Sequence, residues 1–86
     1  KAFVSCNGIK DKAIATFSEE EGEAQRIALN NANKKYLLAD HSKFNKFDFY
    51  NFYNISEIDT IVSDSKLSQE TFEDLSKQTT ILLSKP

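Results

Sequence analysis

Two residues of complementary chemistry close the stretch YLLADHSKF at positions 36–44. Asp40 stands where an apolar run stops, and Lys43 follows three residues on. A carboxylate at a strand end can accept hydrogen bonds from sugar hydroxyls, and a Lys ammonium is a compact cation suited to a phosphate or a sugar oxygen. A related layout recurs at Asp64, after IDTIVS, and the dipeptide Asn7-Gly8 follows the first apolar run, AFVSC. Gly8 would let backbone N–H groups approach an anion. The plain alternative is that each of these residues only turns a strand into a polar loop, because Asp and Asn are frequent turn formers. For Asp64, SDSKLS also reads as the entry to a helix. The residues alone leave both readings open.

Other combinations carry less. His41 is the single histidine and Cys6 the single cysteine, so no multi-histidine or zinc site is expected, and no metal or other cofactor is assigned. A Cys6–His41 nucleophilic pair has no local support, and no catalytic residue is assigned. The acidic run EEEGE at 19–23 is accounted for by a helix start, where carboxylates meet the positive end of the helix dipole. The aromatic stretch 44–53 reads as packing, since a base-stacking platform would need basic residues beside it. Two glycines in all leave no Gly-rich phosphate loop.

Eighty-six residues make one small domain. Apolar residues are 40% of the chain and charged residues 28%, as in ordinary globular proteins. Eleven basic and 13 acidic residues leave a net charge of −2, which gives no electrostatic case for DNA binding by this segment. One thiol cannot form an intrachain disulfide. No apolar run approaches the ~20 residues of a membrane span, and the start KAFVSCNGI lacks the apolar core of a signal peptide. No membrane partner is expected, and a cytoplasmic location is the default. The chain also lacks an initiator Met, so we expect it to be part of something longer.

The elements that must position these residues are legible in outline. AFVSC reads as a strand, and IKDKAIATF at 9–17 as a loop with some extended structure. Ser18 has the capping-box spacing to Glu21 and opens a helix over roughly 19–33. Ala24, Ile27, Ala28 and Ala32 form its weakly apolar face, and Lys34 and Lys35 stand at its negative end. KYLLAD suits a strand buried on both faces. FNKFDFYNFYNI at 44–55 reads as a loop with a short extended piece, and IDTIVSD at 58–64 as another strand. LSQETFEDLSKQ at 67–78 is a second helix, with Ser68 as its cap and Leu67 and Phe72 at hydrophobic-staple spacing. TTILLS at 79–84 is a last strand. This alternation predicts an α/β fold, a mostly parallel sheet with flanking helices. In such sheets ligands sit beyond the carboxyl ends of the strands.

The order CNGI, EEEGEAQRIALNNA, YLLADHSKF, ISEIDTIVSD and a final ILLS resembles the C-terminal sensor region of the DeoR family of bacterial transcriptional repressors. That region has a strand ending in Gly-Ile-Asp, an acidic helix, LLADSSKF and IDTLITD. Within the family the likeness is to the branch governing lactose and galactose catabolism in Gram-positive bacteria, whose inducer is tagatose 6-phosphate. The resemblance implies a partial Rossmann-like sensor, similar to sugar-phosphate isomerases, with a phosphorylated sugar as effector at Asp40, Lys43, Asn7 and Gly8. It implies a homo-oligomeric repressor that touches DNA only through a winged helix absent from this chain. The first half of the sensor, with its phosphate-binding loop, is also absent. Lys10 stands where the family usually has Asp, and Ala13 where it usually has Gly. Gln25 falls about where the related isomerases carry their catalytic Glu. An amide cannot act as a general base at neutral pH, so the resemblance points to binding without turnover.

Overall fold

The apolar runs near positions 2–6, 35–40, 58–64 and 79–84 become four strands of one parallel sheet. A computed structural model describes residues 1–84. In chain order its elements are β1 (Ala2–Ser5), β2 (Gly8–Lys10), β3 (Ala13–Thr16), α1 (Glu19–Asn30), β4 (Lys35–Leu38), β5 (Tyr50–Asn54), β6 (Thr60–Asp64), α2 (Gln69–Ser76) and β7 (Thr80–Ser84). The parallel sheet has the order β1-β4-β6-β7, and β2, β3 and β5 form a separate antiparallel sheet.

Register explains which face is buried. Val4, Leu37, Ile61 and Ile81 are successive partners across the parallel sheet. All four are nearly or fully inaccessible and belong to one core with Leu29, Phe52 and Ile55. Each such side chain contributes about 1.5–3 kcal/mol of burial. The neighbouring rows, Phe3–Tyr36–Thr60 and Leu38–Val62–Leu82, point the other way. There Phe3 is 60% exposed, Leu38 44% and Leu82 56%. Phe3 and Tyr36 stack with centroids 4.7 Å apart. The expectation that YLLAD is buried on both faces is therefore corrected: Leu37 is inaccessible, but Leu38 beside it faces water. The apolar run records a second face that nothing among the described residues covers.

The segment 9–17, expected as a loop, is a hairpin. Lys10 pairs with Ala13 across Asp11 and Lys12, whose φ values are +52° and +71°. Positive φ at both central residues is the backbone of a two-residue hairpin turn, usually signalled by Asn-Gly. This chain makes the turn without glycine, so the usual signal is missing. β5 then adds to β3, the short extended piece expected within the aromatic stretch.

Ser18 caps α1 as expected, its Oγ accepting from the Glu21 N–H at 3.1 Å. The helix ends at Asn30, three residues short of expectation, with Asn31 as its C-cap. Lys35 consequently begins β4, where its N–H donates to Asp59 Oδ2 at 2.8 Å. The buried side of α1 is Gly22 and Leu29, while Ala24, Ile27 and Ala28 face solvent. The alanine-rich stripe is thus not the packed face. Ser68 caps α2 through the Thr71 N–H at 3.2 Å. Leu67 joins the core and Phe72 packs against it, consistent with the staple spacing.

Candidate functional site

Because β1, β4, β6 and β7 run parallel in that order, their carboxyl ends share one rim. Along it come Asn7-Gly8, Asp40, Asp64 and Ser84, the arrangement expected from the strand-end residues. A shallow groove of about 310 Å³ lies there, lined by Leu38, Ala39, Asp40, Val62, Ser63, Asp64 and Ser84. Ser63 is buried, and its Oγ has no hydrogen-bond partner among the described residues. A larger cleft of about 830 Å³ lies elsewhere, between the hairpin turn at Asp11-Lys12 and α2. Its lining mixes lysines with carboxylates, whereas the rim gathers the strand ends of the parallel sheet, so the rim is the better candidate site.

Asp40 begins a single 3-10 turn, His41–Lys43. Its Oδ1 accepts from the Ser42 N–H at 2.8 Å and from the Ser42 hydroxyl. These bonds, with smaller help from the Lys43 and His41 charges, hold its carboxyl below the ordinary range. Asp40 is therefore a turn former, as the plain reading had it, and it also stands on the rim. Lys43 ends that turn. It is half-buried, and its Nζ makes no ion pair or hydrogen bond among the described residues. Cys6 follows β1, and Asp40 and Lys43 follow β4, the strand paired with it, so the charges of Lys43 and Asp40 act on the Cys6 thiol.

Cys6 is 6% exposed. Burial pushes its thiol up to about 12, against the pull of Lys43 and an N–H donated by Gly8. A thiol so protonated is packing material and not a nucleophile at neutral pH. His41 turns away from it toward Asp64, so the structure brings no Cys6–His41 pair together.

Asn7 faces the second sheet. Its N–H donates to the Ala15 carbonyl at 2.9 Å, and its Oδ1 accepts from the Thr16 hydroxyl at 3.4 Å. Gly8 has an ordinary negative φ. A Cβ there would lie 2.5 Å from the Lys46 carbonyl oxygen, so the close approach that requires glycine is made by the 46–47 backbone. Gln25 reaches the same end of β1, its Oε1 accepting from the Ser5 N–H at 3.1 Å. Its buried Nε2 has no partner among the described residues.

One rim interaction was not foreseen. Asp64 Oδ2 accepts from the His41 backbone N–H at 2.9 Å and lies 3.0 Å from His41 Nδ1, and Oδ1 accepts from the Lys66 N–H at 2.8 Å. The His41 ring bond, followed by the His41 and Lys66 N–H groups, pulls the Asp64 carboxyl down to about 2. The available signal was that Asp40 and Asp64 both follow apolar runs. It becomes spatial only once β4 and β6 are known to be neighbours. Asp40, His41 and Asp64 each offer an atom within 4.8 Å of the others, a spacing that can suit a cation. Asp40 Oδ1 is committed to Ser42, and both Asp64 oxygens to His41 and Lys66, which explains the cluster as turn structure.

A parallel α/β sheet with polar groups along one carboxyl rim has the architecture in which open α/β folds place ligands beyond their strand ends. The chain belongs to the DeoR C-terminal sensor domain family, whose sequence model matches residues 1–65. It is 50% identical over 82 residues to a lactose phosphotransferase system repressor of Lactococcus lactis subsp. lactis, covering 95% of this chain and 32% of that protein. A repressor of the same name from Streptococcus mutans is 39% identical over the same share of each chain. The HTH-type transcriptional repressor GlcR of Bacillus subtilis is 35% identical over 75 residues, 87% of this chain and 29% of the relative. These relatives are repressors and not enzymes. The chain spans about a third of their length. Among the described residues no helix is long and apolar enough to cross a membrane.

Proposed function

We propose that this chain is the C-terminal part of the effector-sensing domain of a DNA-binding repressor of sugar catabolism. Its inducer would be a phosphorylated sugar; tagatose 6-phosphate is the first candidate, as the resemblance to the lactose and galactose branch implies, and the relatives named lactose phosphotransferase system repressors are in keeping with a sugar effector. The observation that carries the reading is Lys43, an ammonium without a partner among the described residues, on the turn that follows β4 at the carboxyl end of a parallel sheet. Lys43 would contact the sugar phosphate, while Asp40 would accept from a sugar hydroxyl with its outer oxygen and hold the turn. Asn7 and Gly8, which follow β1 at the same end of the sheet, would lie beside them. The effector shifts the repressor by preferring one arrangement of subunits, since equal affinity for both would shift nothing.

The uncovered sheet face supports a partial domain. Parallel sheets are ordinarily covered on both faces, and here Phe3, Leu38 and Leu82 are bare. The rest of the sensor, with a fold like the sugar-phosphate isomerases, would cover this face and supply the remaining phosphate cradle. DNA contact would come from a winged helix outside these residues, and the repressor would act as a homo-oligomer. The amide of Gln25 speaks against an isomerase reading, because it cannot serve as a base.

Calorimetry on the intact protein with tagatose 6-phosphate tests the proposal. Lys43→Ala should weaken binding about 10- to 100-fold, the equivalent of one charged hydrogen bond. Unchanged affinity removes Lys43 from the site, and no binding of any hexose phosphate by the unaltered protein ends the sensor reading.

A further inference from the structure

We infer that Asp64 is a positioning residue: through His41 it clasps the turn that carries Lys43, and so sets where that ammonium stands on the rim. This deepens the sensor reading and rests on it for its link to the effector. The clasp joins two strands. Asp64 closes β6, while His41 begins the 3-10 turn after β4. Asp64 takes both the backbone N–H of His41, at 2.9 Å, and its ring Nδ1. The turn is closed behind it, with the Lys43 N–H donating to the Asp40 carbonyl at 3.1 Å and the Phe44 N–H to His41 at 3.4 Å. Asp64 is itself fixed from the far side by the Lys66 N–H. Lys43 therefore hangs from a turn whose first two residues are held, His41 by Asp64 at the end of β6 and Ser42 by Asp40 just after β4.

Energetics support a positional role. The side chains of His41 and Asp64 are 44% and 30% exposed, and ion pairs this open contribute little to overall stability. A bond to a backbone N–H at the first residue of a turn does constrain where the turn points. A site that recognises a phosphate needs its cation held within about 0.5 Å, and a Lys on a free turn would not be held so.

The test uses the intact protein with Asp64→Ala and the more conservative Asp64→Asn. Amide exchange at His41, Lys43 and Phe44 should accelerate at least about tenfold in Asp64→Ala, with α1 unchanged. Exchange that does not change in either variant overturns the clasp, whatever the binding result. Affinity for tagatose 6-phosphate, with inorganic phosphate as a second probe, should fall about tenfold. Lys43→Ala should then cost much less in the Asp64→Ala background than alone, because neighbours acting on one contact are not additive. Full additivity overturns the link from Asp64 to Lys43. If the unaltered protein binds neither probe while exchange behaves as expected, the clasp stands and the sensor reading falls.

Discussion

Gly22 of α1 lies beneath the ring of Tyr50: a Cβ on Gly22 would stand 2.5 Å from a Tyr50 ring carbon and 3.2 Å from the Cβ of Phe52. The ring is not free to move, since its hydroxyl donates to Glu23 and Arg26 lies over its face. Two effects oppose each other in Gly22→Ala. Helix propensity favours alanine by about 1 kcal/mol, and overpacking costs about 1–3 kcal/mol. With the ring held, overpacking should win, and the variant should lose about 1–2 kcal/mol. Urea unfolding measures this, and a stabilised variant would show that the Tyr50 ring yields.

Acid should loosen the rim. Asp64 titrates at about 2 and Asp40 also below the ordinary carboxylate range. A carboxyl lowered by folding contributes stability that is present above its unfolded pKa, about 4, and is lost as pH falls through the folded value. The melting temperature should therefore drop between about pH 4 and pH 2, and Asp64→Asn should flatten that drop. An identical pH profile in the variant would contradict the assignment.

Cys6 should be inert while the protein is folded. At pH 8 iodoacetamide should label the unfolded chain at least about 100-fold faster than the native one, because the thiol is buried and protonated. Its pKa is raised from 9.0 to about 12. Stability should then decline as pH rises above 9, where the unfolded thiol ionises and the folded one does not. Rapid native labelling would place Cys6 in an open environment.

Residues 1–86 alone should self-associate through the bare sheet face, since a contiguous apolar patch of this kind seeks a partner. Replacing Leu38 and Leu82 together with Lys should yield a monomer with an unaltered circular dichroism spectrum, as both side chains already face water. Light scattering decides this, and a monodisperse monomer before substitution would contradict it.

The parallel sheet, both helix caps and the shared rim were legible because their signals are local. Ser18 and Ser68 precede their helices in sequence as in space, and apolar runs mark the strands. The hairpin was not legible, because Asp11 and Lys12 adopt positive φ without the glycine that usually announces it. The weakly apolar face of Ala24, Ile27 and Ala28 does not coincide with the packed face of α1. A glycine under Tyr50 marks that face instead, and glycine registers weakly on any apolar scale. The His41–Asp64 contact stayed hidden for a third reason. It joins residues whose proximity depends on which strands are neighbours, and that is a property of the topology.

The interleaving of the two sheets has a consequence in time. The turn at Asp11-Lys12 closes the one local strand pair among the described residues, and such hairpins form in about 1–10 μs. Every other pair waits for a distant segment: Ala2 for Lys35, Ala13 for Asn54, Tyr36 for Thr60. Loop-closure entropy must be met before those contacts return anything, which slows chains rich in long-range pairing. The rim, assembled from the far ends of strands joined only by such crossovers, is therefore completed late in folding, and a ligand arriving before β6 has docked beside β4 finds no site to enter.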